Sequence, residues 1–302
     1  MLSLQPGIPV AVANIDSEVT MPAFGLVERG AMAAIMGTST VYMLLGDKEV
    51  FVPGMGAVAK DGIIPGYYGY TAGQSCVGDL FGWLADNFVP VAYVREAEVK
   101  NLTVHQLLEQ KAAAQKAGQH GLIALDWWNG NRSVLADMSL SGLLVGMTMQ
   151  TRPEDIYRAL IEATAFGARK IVEAFEGQGV SIHAVYAAGG IPAKNKLFLQ
   201  IYADVLNRPV FVAECENAPA LGSAIFGAVA AGGALNGYET VGEAAKHMGR
   251  ISKQPIRPAP ENAAVYDRLY ALYSKLHDGF GGDAGHLMRS LRDLAAGQRT
   301  VT

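Results

Sequence analysis

The feature that most constrains the fold is the alternation of short apolar runs with helical patterns in the third quarter of the chain. Residues 183–188 and 209–213 are apolar runs of strand length, whereas residues 195–206 and 219–231 have the length and pattern of helices. Strands separated by helices in this way are typical of βαβ units with a largely parallel sheet. The chain is therefore predicted to be an α/β protein, with its ligand near the carboxyl ends of the strands.

The rest of the chain carries further strand and helix signals. Gly37-Thr38-Ser39-Thr40 separates two apolar runs and predicts a β-hairpin. Strands are predicted at residues 8–15, 31–36, 41–45, 49–53 and 121–125. Helices are predicted at residues 74–87, 104–117 with Thr103 as cap, 153–175 after a start signal at Thr151, and beyond residue 239.

Composition excludes several classes of protein. Half of the residues are apolar and 17% are charged, which excludes a disordered chain. The net charge is −4 without a basic block, so no nucleic-acid partner is expected. Cys76 and Cys215 are too few for a disulfide framework and are expected to be buried reduced thiols. The uncharged stretch 217–238 is poor in large apolar residues, so we expect no membrane span and a cytoplasmic protein.

Three features could carry chemistry. Asp16 ends the predicted strand 8–15, where it could accept a proton from a hydroxyl or simply cap the following helix. The turn Gly37–Thr40 could bind phosphate through its backbone and hydroxyls, or be an ordinary hairpin. Gly189-Gly190, followed by a helix that opens at Lys194-Asn195, could lie against a nucleotide or be a tight turn.

Several familiar motifs do not occur in the sequence. There is no G-x-x-x-x-G-K-[ST] phosphate loop, no G-x-G-x-x-G that opens a helix, and no G-x-S-x-G. The six histidines are scattered, and none is paired at the spacing of metal ligands. The residues alone therefore predict no metal site built from side chains.

The motifs that do occur, taken in chain order, resemble the carboxy-terminal half of the FGGY family of carbohydrate kinases. The resemblance covers about residues 5–250 and rests on motifs in matching order and spacing. They are Asp16, Met36–Thr40, Tyr70–Ser75, Asp126–Gly130, Ala188–Gly190 with Asn195 and Gln200-x-x-Ala203-Asp204, and Ala220–Ala224.

The resemblance implies an actin-like, ribonuclease-H-like ATPase domain at residues 1–250, with residues 251–302 as a helical extension packed on it. It implies ATP and Mg²⁺ as cofactors and a sugar as the substrate. Asp16 matches the family's catalytic base. Residues that match the nucleotide site are Gly37, Thr38, Ser39, Gly189, Gly190 and Asn195. Residues implied to lie near the sugar are Asp16, Thr71 and Gln74.

Two short segments differ from the branch of the family that phosphorylates L-ribulose, which the chain resembles most. That branch has Asp-Ala-His where this chain has Asp16-Ser17-Glu18, and a glutamate where this chain has Thr71. Both match places near the bound sugar. The expected substrate is therefore L-ribulose or a related ketopentose or polyol.

The family also has an amino-terminal domain with an Asp-x-Gly-Thr motif, which does not occur in this sequence. We therefore expect that activity needs an amino-terminal partner domain, and that an exposed apolar face leads to that partner or to a homo-oligomer. The alternatives are a stand-alone domain that binds nucleotide or a partner without turnover, and a chaperone-like ATPase. The chaperone-like ATPase is disfavoured because the sugar-kinase motifs extend beyond the core that the two classes of protein share.

Overall fold

The structure, a computed structural model, describes residues 6–299 except residues 13, 26 and 216. It contains a six-stranded sheet in the order β3-β4-β2-β1-β7-β8 and a two-stranded sheet formed by β5 and β6. The strands are β1 Ala31–Met36, β2 Thr40–Gly46, β3 Ala57–Lys60, β4 Tyr68–Gln74, β5 Ile123–Leu125, β6 Leu143–Val145, β7 Ala184–Ala188 and β8 Val210–Val212.

The large sheet is mixed, in agreement with the predicted α/β fold class. Strands β1, β7 and β8 pair in parallel, as the βαβ pattern predicts. The pairings of β1 with β2, β2 with β4 and β4 with β3 are antiparallel, and the first of them is the predicted hairpin. The antiparallel part is larger than the sequence indicates, because β3 and most of β4 fall in a glycine-rich stretch without clear strand periodicity.

Helices cover both faces of this sheet. The helices of the described residues are α1 Asp16–Val19, α2 Gly78–Phe88, α3 Val91–Val99, α4 Val104–Ala113, α5 Pro153–Gly177, α6 Lys196–Leu206, α7 Ala218–Ala231, α8 Val241–Met248, α9 Pro260–Gly281 and α10 Gly285–Arg299. One face packs against α5, where Leu160, Phe166 and Phe175 are buried. The other face packs against the 3₁₀ turn Met21–Phe24, α7 and α8. None of the helices in the described residues is long and apolar enough to span a bilayer.

The helix starts follow the local signals in the sequence. Thr103 caps α4 in a capping box with Gln106, and the side chain of Asn195 accepts a hydrogen bond from the Phe198 N–H at the start of α6. In α5 the first-turn residues Pro153 and Asp155 act as predicted. The residue that precedes α5 is Arg152 rather than Thr151, because the carboxylate of Asp155 accepts the Arg152 backbone N–H.

Two predicted strands are wrong. Within residues 8–15, the described residues form no strand, and Val10 and Val12 are 83% and 93% exposed. An apolar run alone cannot form a strand, because its backbone needs a pairing partner and the sheet edges here are β3 and β8. Residues 49–53 likewise form no strand. Both cysteines are reduced, but only Cys76 is buried; Cys215 is half-buried, which corrects the expectation for that residue.

The carboxy-terminal helix α9 packs on the main core through aromatic rings. Tyr266, Tyr270 and Tyr273 surround Phe166 of α5, with ring centroids 5.2–6.2 Å apart. Aromatic pairs at these separations add to the stabilisation that comes from burial. The proposed division of the chain at residue 250 stays a prediction.

A buried polar network ties α9 to α4 and α5. Arg158 donates to Glu162, to the backbone carbonyls of Ala112 and Gln115, and to the Tyr266 hydroxyl, at 2.9–3.0 Å. Glu162 also accepts hydrogen bonds from that hydroxyl and from His120 Nε2. Because a buried charge is costly without partners, this network should stabilise the packing of the three helices.

Candidate nucleotide-binding cleft

The two predicted glycine turns meet at the carboxyl ends of β1 and β7. Strands β1 and β7 are parallel neighbours with Ile35 opposite Ala188, so the turns that follow them lie side by side. Gly189 has φ +117°, and a Cβ at this position would lie 2.1 Å from the Met36 carbonyl oxygen. Only glycine allows the two backbones to approach this closely. The carboxyl ends of parallel strands thus form the base of a site, where ligands of open α/β sheets gather.

The turn between β1 and β2 is held in place by its own backbone and by the start of α2. The Gly37 N–H donates to the Ser39 carbonyl at 2.9 Å. The carbonyls of Gly37 and Thr38 accept hydrogen bonds from the N–H groups of Gly78 and Val77, also at 2.9 Å. Gly37 and Thr38 are nevertheless exposed. The turn is therefore a preorganised surface that can reach a ligand.

A cleft of about 710 Å³ lies beside the Gly189-Gly190 turn. Its lining residues are Gly78, Phe81, Thr103, His105, Gln106, Glu109, Tyr157, Gly190, Ile191, Lys194 and Asn195. This volume is in the range of small-molecule and cofactor sites. Lys194 is an exposed cation on its wall. Two predicted residues, Gly190 and Asn195, therefore line one cleft. Gly37, Thr38, Ser39 and Gly189 do not line it, although the lining residue Gly78 donates its N–H to the Gly37 carbonyl.

Most of the opposite wall of the cleft was not predicted from the sequence. Phe81 belongs to the apolar face predicted for α2, and Tyr157 lies in the first turns of α5. Their rings pack against each other with centroids 5.4 Å apart. The apolar spacing of α2 could have indicated a buried ring, but only the packing of α2 on α5 brings it to the cleft.

The side chain of Asn195 is already bonded to protein groups. Its carbonyl oxygen accepts the Phe198 N–H at 2.8 Å, and its amide donates to the Tyr157 hydroxyl at 2.9 Å. It is buried at the cleft wall. Asn195 therefore holds the start of α6 and Tyr157 in place, and any nucleotide contact would use its remaining hydrogen-bonding capacity.

A second cavity, of about 660 Å³, lies on the other side of the sheet. It is lined by Val27, Tyr67 and Val241 among others, and none of the predicted site residues borders it. Volume alone therefore does not identify the site. The cleft at the strand ends is favoured because the predicted glycine turn borders it.

Gln74, the last residue of β4, belongs to a buried network of hydrogen bonds. Its amide donates to Asp126 at 2.7 Å and to the Thr164 carbonyl at 2.9 Å, and its carbonyl oxygen accepts the Tyr42 hydroxyl. Asp126 is itself buried, and burial raises the pKa of Asp126 to about 7, although the hydrogen bond from Gln74 favours the ionised form. A direct sugar contact by Gln74 would require its amide to leave this network.

The raised pKa of Asp126 predicts a pH-dependent stability. The folded protein holds the proton up to about pH 7, whereas an unfolded chain releases it near pH 3.8, so the free energy of unfolding falls as pH rises between these values. Between pH 5 and pH 8, wild type should lose about 2–3 kcal/mol relative to Asp126→Asn, which has no proton to release. Urea unfolding of both proteins at the two pH values measures this. Parallel pH profiles would contradict the assignment.

The residues implied to lie near the sugar are placed differently from one another. Thr71 is half-buried in β4. The prediction that Asp16 ends a buried strand is wrong. Asp16 is the exposed first residue of α1, which packs against α7. Within the described residues its carboxylate accepts a hydrogen bond from the Ser17 N–H, at 2.9 Å, and from no other group. No hydrogen bond in this part of the chain joins Asp16 to the turn at Gly37.

The described residues contain no group of three or more His, Cys, Asp or Glu side chains that could hold a metal ion. The sheet topology is that of the actin-like ATPase fold, and the solved structures agree. The xylulose kinase of Rhodospirillum rubrum superposes with a TM-score of 0.77 at 26% identity, over 92% of this chain and 52% of that protein. The Plasmodium falciparum glycerol kinase with ADP superposes with a TM-score of 0.70 at 17% identity, over 87% of this chain and 50% of that one, and shows the fold alone.

The chain belongs to the FGGY family of carbohydrate kinases: the model of that family's C-terminal domain matches residues 32–231. The ribulokinase of Anoxybacillus flavithermus is 52% identical over 100% of this chain and 53% of its own length. The ribulokinase of Halalkalibacterium halodurans is 53% identical over 97% of this chain and 52% of its own length. The chain thus spans about half the length of the curated relatives it matches, and the predicted family resemblance is confirmed.

Proposed function

We propose that this chain supplies the ATP-binding half of a kinase that phosphorylates L-ribulose or a related ketopentose or polyol. The observation that carries the proposal is the strand-end cleft lined by Gly190 and Asn195, in a chain that is 52% identical to a ribulokinase over 100% of this chain. Phosphoryl transfer depends on positioning and on neutralising charge, so glycine turns, a carboxylate and the metal carried by ATP are sufficient.

In this proposal the nucleotide lies across the carboxyl ends of β1 and β7. The hydroxyls and backbone N–H groups of Thr38 and Ser39 face the phosphates, and Gly37 leaves room for the phosphates to approach the turn. Gly189, Gly190 and Asn195 face the nucleoside part of the cleft. Mg²⁺ enters bound to the ATP phosphates, because this ion is usually held by substrate phosphates with few protein ligands.

Asp16 is proposed as the general base that takes the proton from the sugar hydroxyl. Its exposed carboxylate is free to receive that proton, and the Ser17 N–H orients one oxygen. Asp16 is not joined to the glycine turns by the described residues, which favours a site completed by an amino-terminal partner domain. It also supports the alternative of nucleotide binding without turnover when that partner is absent.

The choice of sugar is proposed to depend on positions near Asp16 and on β4. Thr71 presents a neutral hydroxyl where the L-ribulose branch has a carboxylate, and Ser17-Glu18 replaces Ala-His. Both changes alter which hydroxyls of the sugar find a charged partner. A specificity profile over ketopentoses and polyols, measured on the completed enzyme, tests this directly.

The isolated chain should bind ATP-Mg weakly, with a Kd between about 1 μM and 1 mM, because a half-site leaves much of the nucleotide in water. Calorimetry measures this. Sub-micromolar binding, or none at millimolar nucleotide, would contradict the proposal.

Gly190→Leu should abolish binding without lowering the melting temperature, because a Cβ at Gly190 meets nothing within 4 Å and the side chain would project into the cleft. Gly227→Leu, at an equally open position on α7, is the matched control.

A further inference from the structure

The loop that follows β5 presents one exposed arginine between two anchored residues. Asn131 is buried, pairs its backbone with Asp137 at 2.8–2.9 Å, and accepts the Leu135 N–H through its side chain. Ser133 is buried too, and its hydroxyl accepts the Gly73 N–H of β4 at 3.2 Å. Arg132, between them, is exposed. The loop is therefore held on both sides of Arg132 by hydrogen bonds.

The side chain of Arg132 lies over Gly73. A Cβ at Gly73 would be 3.3 Å from both Cδ and a terminal nitrogen of Arg132, and 3.0 Å from the Thr40 carbonyl oxygen. The lack of a side chain at Gly73 thus leaves room for the guanidinium to lie along the junction of β2 and β4.

This junction leads directly to the turn proposed to bind phosphate. Gly73 is opposite Val41 and Gln74 is opposite Thr40, the residue that follows Ser39. Thr71, proposed to face the sugar, is two residues before Gly73 and on the same face of β4 because side chains alternate along a strand. Paired strands are about 5 Å apart, within the reach of an arginine side chain. Arg132 thus lies between the proposed phosphate turn and the proposed sugar position.

Arg132 has no ion pair and no side-chain hydrogen bond with any other residue that the structure describes. By contrast, a carboxylate pairs with each of three other arginines, Arg158, Arg208 and Arg289. An arginine offers a planar fork of donors that matches phosphate oxygens, and it stays charged at any physiological pH.

We propose that Arg132 binds the terminal phosphate of the nucleotide, the group that is transferred. This inference rests on the proposed function and adds to it a residue from the loop after β5. Neutralising the terminal phosphate beside the Gly37–Ser39 turn would counter the negative charge that repels the attacking oxygen, which is the main task of protein groups in phosphoryl transfer.

The test is calorimetry on this chain with ATP-Mg, ADP-Mg and AMP as probes. Arg132→Gln should weaken ATP binding about tenfold, the size expected for one charge-assisted hydrogen bond, with a smaller loss for ADP and none for AMP. Arg132→Lys should fall between wild type and Arg132→Gln, because it keeps the charge but not the fork. Arg95→Gln, at an exposed arginine on α3, is the matched control and should change none of the three affinities.

The failures are distinguishable. If wild type binds no ATP at millimolar concentration, the proposed function fails and this inference fails with it. If wild type binds ATP but Arg132→Gln binds all three nucleotides as wild type does, only the role of Arg132 is overturned. Equal losses for ATP and ADP would overturn the assignment to the terminal phosphate. An equal loss for AMP, or a lower melting temperature, would show a structural effect instead and also overturn it.

Discussion

Asp16→Asn is expected to lower kcat by about 10²–10⁴-fold in the enzyme completed by an amino-terminal ribulokinase domain, because an amide cannot accept the proton of the sugar hydroxyl. The affinity for ATP should stay almost unchanged, since no hydrogen bond in the described residues links Asp16 to the glycine turns. The free energy of unfolding should change by no more than about 1–2 kcal/mol, the scale of a lost hydrogen bond or cap. Steady-state kinetics, calorimetry and thermal unfolding on one preparation measure all three.

The matched control is Asp86→Asn, which makes the same chemical change at an exposed position on α2. It should leave kcat, nucleotide affinity and stability as in wild type. If Asp16 only holds the start of α1 through the Ser17 N–H, the pattern reverses: stability falls and turnover stays near normal. A folded Asp16→Asn enzyme with wild-type kcat would remove Asp16 from the mechanism.

Arg158→Met is expected to lower the free energy of unfolding by about 3–5 kcal/mol, because it leaves the buried carboxylate of Glu162 without its cationic partner. The side chains of Arg158 and Glu162 are 4% and 1% exposed, so water cannot replace the lost contacts. The substitution also removes donors from the carbonyls of Ala112 and Gln115 and from the Tyr266 hydroxyl. Urea unfolding monitored by circular dichroism measures the change.

Lys100→Met is the matched control, since Lys100 pairs with Glu96 at the same four-residue spacing but its side chain is 49% exposed. Its cost should be below about 1 kcal/mol, the usual range for surface pairs. Similar costs for the two variants would show that burial does not decide the strength of the Arg158 network.

Much of the site could be predicted residue by residue, but not its shape. The turns at Gly37 and Gly189 were predicted at strand ends, and the parallel pairing of β1 with β7 brings them together. The cleft wall formed by Phe81 and Tyr157 could not be predicted, because the two residues are far apart in the chain and meet only through packing. Arg132 was not predicted as a site residue, and its place over Gly73 depends on the Ser133 anchor.

The sequence by itself determined the features that depend on neighbours in the chain. These are the hairpin around Gly37, the caps at Thr103 and Asn195, the start of α5 at Pro153, and the strand–helix alternation that makes the fold α/β. Each rests on backbone dihedrals, local hydrogen bonds or the period of apolar residues, which a short stretch of chain specifies without distant contacts.

Only the tertiary structure decided where strands pair and which polar groups are buried. The stretch 8–15 has the apolar composition of a strand, but most of its described residues are exposed. The glycine-rich β4, in contrast, forms the second strand from one edge because β2 and β3 supply its hydrogen bonds. Asp126 has a raised pKa because distant segments exclude water from it. Backbone pairing and desolvation depend on residues far apart in the chain, and no local pattern contains them.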